Sequence, residues 1–315
     1  MYDVIVVGAG PAGLTAAIYT SRKNLTTIVV SKDLSEHIIT TPHIENYPGL
    51  EKTSGMELLQ NMEQQVKNFG VEIVYEEVLS VKQEGKNFSV ATKGKKYDTK
   101  TVILAFGKTP RNLGITTEEK FRGKGVFYCS TCDAPLLKNK ITAVVGGGNS
   151  ALNSALYLSS IAKKVYLIHR RDEFRGFETM VEKVKQKKNV EFVLDSVVEE
   201  FKGEKFLQSV KIKNVKTNVR KEIQVDGVFV EAGYEVKADF IKNLVKLDEN
   251  NHIVVNEKCE TFQPSSNKIM PGIFAAGDVT NGPFKQIVIA AGEGAKAGLQ
   301  AYNYITESNI STDMS

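Results

Sequence analysis

Close to the N-terminus stand four branched apolar residues in a row, Val4-Ile5-Val6-Val7, and they stop at Gly8. An unbroken apolar run bounded by glycine reads as a strand buried on both faces, as in a parallel sheet. The pattern then changes period. Residues 11–23 have helical composition and residues 26–31 form a second apolar run, so a strand, turn, helix and strand are predicted in order. The same succession returns later. Residues 140–145 predict a strand, 149–162 a helix and 164–169 a strand. The two copies start their turns at Gly8 and Gly146, too far apart for a short-period repeat array, so the architecture itself is duplicated. Further strands are predicted at 88–92, 101–105, 191–194, 209–213 and 225–230, separated by polar turns such as Glu84-Gly85-Lys86-Asn87. Residues 272–278 predict a strand ending in Gly277-Asp278, and 286–305 a helix. The polar end, 308–315, is expected to fray. No long linker interrupts the chain. Joins are expected near Arg111-Asn112-Leu113-Gly114 and Gly233-Tyr234, which would insert residues 113–233 as one domain into another made of 1–112 and 234–315. The fold class is α/β.

Composition narrows the function classes. The 315 residues suit about two domains, and 42% apolar content is enough to bury a core. A net charge of +4 spread over 41 basic and 37 acidic residues leaves no basic groove for nucleic acid. No apolar run approaches a membrane span, and the N-terminus lacks a basic segment with a small-residue cleavage site, so a cytoplasmic protein without membrane contact is expected. Three cysteines are too few for a secreted disulfide scaffold. Cys259 stands alone and reads as an ordinary thiol.

The chemistry concentrates in three motifs. Gly8-Ala9-Gly10-Pro11-Ala12-Gly13 and Gly146-Gly147-Gly148-Asn149-Ser150-Ala151 each follow an apolar strand and open a helix. In such Rossmann-like loops the first glycine makes the turn, the second admits a pyrophosphate and the third small residue lets the helix pack close. The helix N-terminus then presents free N–H groups to the phosphates. The bland alternative for each is a structural turn, but the strand and helix on either side favour a dinucleotide. The end of the following strand separates the ligands. After the second loop it reads His169-Arg170-Arg171-Asp172-Glu173-Phe174-Arg175, and arginines there suit a 2′-phosphate, hence NADPH rather than NADH. After the first loop no acid sits at the strand end, and Asp33 is the nearest ribose candidate.

The third motif is Cys129-Ser130-Thr131-Cys132-Asp133. Cysteines at i and i+3 can close a small disulfide ring, and a helix N-terminus lowers thiol pKa. Asp133 could exchange the accompanying proton. The alternatives are a zinc site, for which no second ligand pair exists and no metal is expected, or two unreactive thiols.

With these motifs in place, the chain resembles the low-molecular-weight thioredoxin reductases, FAD- and NADPH-dependent pyridine nucleotide-disulfide oxidoreductases of class II. The resemblance runs from about residue 2 to residue 305. It is carried by the two loops, Ile44-Glu45-Asn46-Tyr47-Pro48-Gly49, the cysteine motif, His169 to Arg175, Phe274-Ala275-Ala276-Gly277-Asp278 and Gln286. It implies two Rossmann-like domains, each a three-layer unit of parallel sheet with a small antiparallel sheet, the NADPH domain inserted into the FAD domain. It also implies a homodimer and a thioredoxin-like protein disulfide as substrate. By the same resemblance Cys132 meets the flavin, Cys129 attacks the protein substrate and Asp133 is the acid/base. The FAD contacts implied are Gly8, Gly10, Pro11, Ala12, Gly13, Asp33, Asn46, Gly277, Asp278, Lys285, Gln286 and Ile287. The NADPH contacts are Gly146, Gly148, Asn149, Ser150, Ala151, His169, Arg170, Arg171 and Arg175.

The chain departs from the family pattern in three places. Ser35-Glu36-His37-Ile38 replaces a usual Gly-Gly-Gln-Leu, Ala105-Phe106-Gly107 replaces Ala-Thr-Gly, and Tyr234 follows Gly233 where proline is usual. The expected reaction is NADPH-driven reduction of a thioredoxin-like disulfide through FAD and the Cys129–Cys132 disulfide, the activity of a thioredoxin-disulfide reductase. Because the dithiol and the NADPH loop share the inserted domain, the two joins are expected to act as a hinge. The rival reading is an FAD-dependent NADPH oxidoreductase acting on ferredoxin, a quinone or oxygen with the cysteines incidental. A nucleotide-binding sensor without turnover has no support in the sequence.

Overall fold

The N-terminal apolar run is the strand Tyr2–Val7, in which Val4, Ile5 and Val6 are fully buried. It is buried on both faces because both are covered. Val4 and Val6 pack among Leu14, Leu59 and Ala297 from three helices, while Ile5 and Val7 pack among Phe88, Val90, Ile241 and Val245. The computed structural model describes residues 1–39 and 44–313, without the side chains at 36, 37, 131, 132 and 308–313. It divides into two compact units, one of Met1–Thr109 with Glu235–Ser315, the other Pro110–Tyr234. The crossing segments are Thr109–Pro110 and Tyr234–Glu235, which pair as a two-stranded ribbon.

In the first unit Tyr2–Val7 lies parallel between Thr27–Ser31 and the second half of Lys96–Leu104. Glu72–Tyr75 extends the sheet on one side, Ile269–Ala275 and the antiparallel strand Glu260–Phe262 on the other. The first half of Lys96–Leu104 turns to antiparallel partners, Asn87–Ala91 and then Ser80–Glu84. The helix Pro11–Ser21 has eight buried residues of its 11 because it is sandwiched between the sheet and the last helix, Ile287–Asp313. That last helix passes the point where fraying was expected at residue 308. A helix already nucleated and packed through Ala297, Ala301 and Ile305 extends without a new nucleation cost. Among the described residues no helix is long and apolar enough to cross a membrane.

The inserted unit repeats the plan. Its strands run in the order Val190–Val193, Lys164–Ile168, Ile141–Val145, Gly227–Val230 and Val126–Phe127, all parallel. The helices Asn149–Ser159 and Glu178–Lys185 cover Val144, Leu167 and Phe229 on one face. The antiparallel sheet Ser196–Gly203, Leu207–Asn214 and Arg220–Gln224 covers the other, through Phe201, Val210, Ile212 and Ile223.

The crossing of the helices Pro11–Ser21 and Ile287–Asp313 is close because two glycines permit it. A Cβ on Gly294 would lie 2.1 Å from the Ala12 carbonyl oxygen, and one on Gly298 would lie 3.0 Å from that of Ala16. Gly292, half a turn away, is exposed with nothing within 4 Å of its Cβ position. Gly294→Ala is therefore expected to cost about 2–3 kcal/mol of unfolding free energy through overpacking, whereas Gly292→Ala should gain about 0.5–1 kcal/mol from helix propensity. Urea unfolding of the two variants checks the opposite signs.

Candidate functional site

The first glycine loop is shaped by contacts that exclude side chains. Gly8 has a φ of 113°, and its Cβ would lie 2.3 Å from the Ala105 carbonyl oxygen. A Cβ on Gly13 would lie 1.9 Å from the Gly8 carbonyl oxygen. Gly10 is different. Only the Ser35 side chain comes near its Cβ position, at 3.6 Å, so no protein backbone forbids a side chain there. It caps the helix without a side-chain hydrogen bond, Pro11 follows, and no acid stands in the first turn. The first-turn N–H groups therefore face an open approach with a partial positive charge, which suits a pyrophosphate. Ser31, at the end of the next strand, accepts from the Ala9 N–H at 3.0 Å and donates to the Asp33 carbonyl at 2.7 Å. Asp33 itself lies exposed beyond it. Ser35, the first departure from the family pattern, sits at a φ of 57°, a left-handed conformation that glycine adopts without strain and serine does not.

The C-terminal segment of the same unit closes on this loop. A Cβ on Gly277, whose φ is 83°, would touch the Ala12 Cβ at 2.9 Å. The Gly277 N–H donates to Glu293 Oε2 at 2.7 Å. Asp278 is half-buried and has no hydrogen-bond partner among the described residues. Asn46 Nδ2 donates to Gln286 Oε1 at 3.0 Å, which joins two site candidates far apart in sequence. Lys285 donates to the Thr280 carbonyl at 2.6 Å. Burial, reinforced by Lys108, lowers its pKa. Ile287 begins the last helix. Glu293 is a site residue that the motifs do not point to. Its signal is a lone acid on a helix face otherwise made of Ala290, Gly294, Ala297 and Gly298.

In the inserted unit a Cβ on Gly146 would lie 2.3 Å from the Glu231 carbonyl oxygen and 2.9 Å from the Ala151 Cβ. Gly148 caps its helix without a side-chain bond and has nothing within 4 Å of its Cβ position. The segment after the second strand folds back over the loop. Arg175 donates its backbone N–H to the Gly147 carbonyl at 2.8 Å, and Asn149 Oδ1 accepts from the Phe177 N–H at 2.8 Å. His169 is 5% exposed and stacks on Phe174 at 5.2 Å, and its ring occupies the space a Gly147 Cβ would take, 2.1 Å away. Burial foremost, then the neighbouring arginines, lower its pKa. It is a neutral packing piece beneath the loop, whereas Arg170, Arg171, Arg175 and Ser150 are exposed. Of the two acids among those arginines, Asp172 and the exposed Glu173, Asp172 pairs with Lys216 at 2.6 Å, and Lys216 also meets Asp195 at 3.1 Å. None of the three arginines has a carboxylate partner among the described residues. The rim can take an anion.

Cys129 is disulfide-bonded. It precedes the short helix Ser130–Asp133, and the Asp133 N–H donates to the Cys129 carbonyl at 3.1 Å. A sulfur held in a disulfide is neither a thiolate metal ligand nor an inert thiol. Among the described residues no group of His, Cys, Asp and Glu could hold a metal ion. The Cys132 side chain lies outside the described residues. Cys259 is a free thiol, 3% exposed.

The sequence pattern of the pyridine nucleotide-disulphide oxidoreductases matches residues 2–294. The thioredoxin reductase of Listeria innocua is 38% identical over 310 residues, covering 98% of this chain and 95% of that protein. That of Helicobacter pylori is 39% identical over 315 residues, covering 97% and 99%. Among solved structures, thioredoxin reductase from Lactococcus lactis matches with a TM-score of 0.85 at 37% identity, covering 98% of this chain and all 100% of that one. The enzyme from T. acidophilum matches at 0.81 and 35%, covering 96% and 98%.

The overlap of the His169 ring with the Gly147 Cβ position gives a local test. Gly147→Ala alone is expected to destabilise by about 2 kcal/mol, and in a His169→Ala background by about 1 kcal/mol less, a coupling typical of residues in direct contact. A double-mutant cycle by urea unfolding measures it.

Proposed function

The chain belongs to the pyridine nucleotide-disulphide oxidoreductase family, and from that premise we infer that it is an NADPH-dependent thioredoxin reductase. The observation that carries this reading is the disulfide at Cys129, which precedes in sequence a nucleotide loop whose rim holds three arginines without a carboxylate partner among the described residues. Both loops fit a dinucleotide. At Gly8, Gly13 and Gly146 the protein's own atoms exclude a side chain, but at Gly148 nothing of the protein does and at Gly10 only a serine side chain comes near. Glycine there serves the approach of a ligand, as a pyrophosphate requires.

We assign the first unit to FAD and the inserted unit to NADPH. The N-terminus of the helix Pro11–Ser21 would hold the FAD pyrophosphate, and Asp278, without a hydrogen-bond partner among the described residues, would bond the same cofactor. Asn46 and Gln286, held by each other, with Lys285 and Ile287, contact it further along. In the inserted unit Arg170, Arg171 and Arg175 fork onto the 2′-phosphate of NADPH. His169 keeps Gly147 in place and takes no charge from the rim. FAD, when bound, passes the two electrons of NADPH to a disulfide, chemistry that side chains alone cannot supply.

The protein's own residues then carry the exchange. We assign Cys132 as the exchange partner of Cys129, as the family resemblance implies. Once reduced, the Cys129 thiolate attacks one sulfur of a thioredoxin-like disulfide. That bond breaks and the second sulfur of the partner leaves as a thiolate. Cys132 attacks Cys129 in the mixed disulfide, which restores the internal bond and releases the partner as a dithiol. Asp133 holds the proton that the departing thiolate takes up. The protein acts in the cytoplasm, where sparse cysteines and a redox pair belong together. A homodimer is carried over from the family resemblance.

Anaerobic titration with NADPH tests the whole reading. Two electrons for the flavin and two for the disulfide are expected in the unaltered protein. Cys129→Ser and Cys132→Ser should each take up two fewer and lose thioredoxin reduction, while NADPH still bleaches the flavin. Retained activity on a protein disulfide in either variant overturns the route. Replacing Arg170, Arg171 or Arg175 by alanine should raise KM for NADPH about tenfold each, the value of one charge-assisted phosphate bond, and leave KM for NADH unchanged.

A further inference from the structure

We propose that Glu231 is a positioning residue for the redox disulfide, acting through Ser154 and Ser130 on the turn that carries Cys129. This rests on the disulfide route proposed above. Glu231 directly follows the strand Gly227–Val230, at the carboxyl end of the parallel sheet. Its N–H donates to the Val145 carbonyl at 2.8 Å, and its own carbonyl covers the Gly146 Cβ position. The backbone is thus fixed against the glycine loop from two sides. The side chain meets Ser154 of the helix Asn149–Ser159, whose hydroxyl donates to Oε1 at 2.6 Å. Ser154 and Ser130 are both buried, and their hydroxyl oxygens lie 2.8 Å apart.

A serine hydroxyl has one hydrogen. That of Ser154 goes to Glu231, so Ser130 donates in the contact between the two serines. The chain therefore has a direction, from Ser130 through Ser154 to the carboxylate. Ser130 is the residue after Cys129 and the first of the short redox helix. Among the described residues the carboxyl is tied by this one hydroxyl: burial raises its pKa, and the Ser154 bond is what opposes that. A carboxyl buried on a single neutral partner costs stability relative to an apolar side chain. What it contributes is the position of the turn at the end of the chain of hydrogen bonds.

That position bears on the disulfide because closing a ring depends on how firmly its ends are held together. Reduction breaks the S–S bond, takes up two electrons from NADPH by way of the flavin and two protons from water, and leaves two thiols. A turn tied to the sheet favours the closed form. A loosened turn favours the dithiol, so electrons shared between flavin and dithiol move towards the sulfurs.

The test uses the holoenzyme and its own flavin as the reference. Glu231→Ala removes the acceptor, Ser154→Ala removes the middle hydroxyl, and Glu231→Gln keeps an acceptor oxygen. In anaerobic NADPH titration, the two alanine variants are expected to shift the electron partition towards the dithiol about tenfold, which is about 30 mV for a two-electron couple. Their kcat for thioredoxin reduction should fall by a similar factor, with KM for NADPH and the rate of flavin reduction by NADPH unchanged. Glu231→Gln should stay within about twofold of the unaltered protein, consistent with a lost charge but a kept hydrogen bond. Ser154→Ala keeps the test decisive if Glu231→Ala does not fold. An unchanged partition in Ser154→Ala overturns the proposal. So does a fall in flavin reduction that matches the fall in kcat, since Glu231 would then only support the nucleotide loop. Failure of the unaltered protein to reduce any protein disulfide overturns the proposed function and this inference with it. Normal reduction by it, with unchanged variants, overturns this inference alone.

Discussion

Both units depend on one steric constraint, a carbonyl oxygen lying where the first loop glycine would carry its Cβ. In the first unit that oxygen belongs to Ala105, in the second to Glu231, and the distance is 2.3 Å in each. The surroundings match as well. The residue owning the carbonyl donates its N–H to the end of the central strand, Ala105 to Val7 at 2.7 Å and Glu231 to Val145 at 2.8 Å. The glycine N–H reaches the opposite neighbour, Gly8 to Val30 and Gly146 to Ile168. The loop is therefore stitched to both adjacent strands just where their order reverses. A side chain at the first glycine would push the strands apart or move the loop, and the helix N-terminus would lose its aim. Phosphate recognition and sheet registry are one problem here, solved the same way twice.

This constraint is legible in the amino-acid sequence because it has a local signature: an apolar run ending in glycine, then a helix. Other parts of the fold are less plainly written or carry no chemistry that singles them out. The helix Gly55–Asn68 has clear signals, with Ser54 accepting the Glu57 N–H at 3.2 Å and Leu58, Leu59, Met62 and Val66 on one face, yet it holds no motif and is missing from the expected elements. The strand Arg220–Gln224 buries only Ile223, so its polar composition gives a loop-like pattern, and its pairing with Leu207–Asn214 decides it. Glu293, Ser31 and Glu231 matter through partners distant in sequence. Composition cannot show that a serine hydroxyl is engaged at a loop or that an acid receives a backbone N–H. His169 shows a different limit of the sequence. The motif counts it with the arginines, but desolvation takes it out of solvent and leaves it neutral beneath the loop.

That neutrality is part of how the two loops differ in charge while sharing a backbone. Around Gly8 the nearest strand end offers a neutral hydroxyl, Ser31, already bonded on both sides. Around Gly146 the strand end offers guanidinium groups, and of the two acids among them Asp172 is drawn off by Lys216, while Glu173 makes no ion pair with these arginines among the described residues. An exposed ion pair of this sort contributes little to stability. Its effect is on the field at the rim, where a free carboxylate would compete with a phosphate for the arginines. Selection between a cofactor with and one without a 2′-phosphate then follows from side chains that lie outside the glycine motif altogether.

The third cysteine shows what the redox pair must be protected from. Cys259 is buried against the last helix, its sulfur 3.6 Å from the Glu293 carbonyl, and burial, then the charge of Glu293, push its pKa up to about 11. At neutral pH the reactive thiolate is then on the order of one part in ten thousand. Exchange rates scale with thiolate and with access, and this sulfur is poor in both. In the exchange proposed above, a thiol of ordinary pKa in the same chain would compete with Cys132 for the mixed disulfide. Glu293 thus serves two ends: its carboxylate holds the Gly277 N–H beside the first glycine loop, and its charge adds to burial in keeping the Cys259 thiol protonated. In the proposed electron route the cysteine kept protonated matters as much as the pair that exchanges.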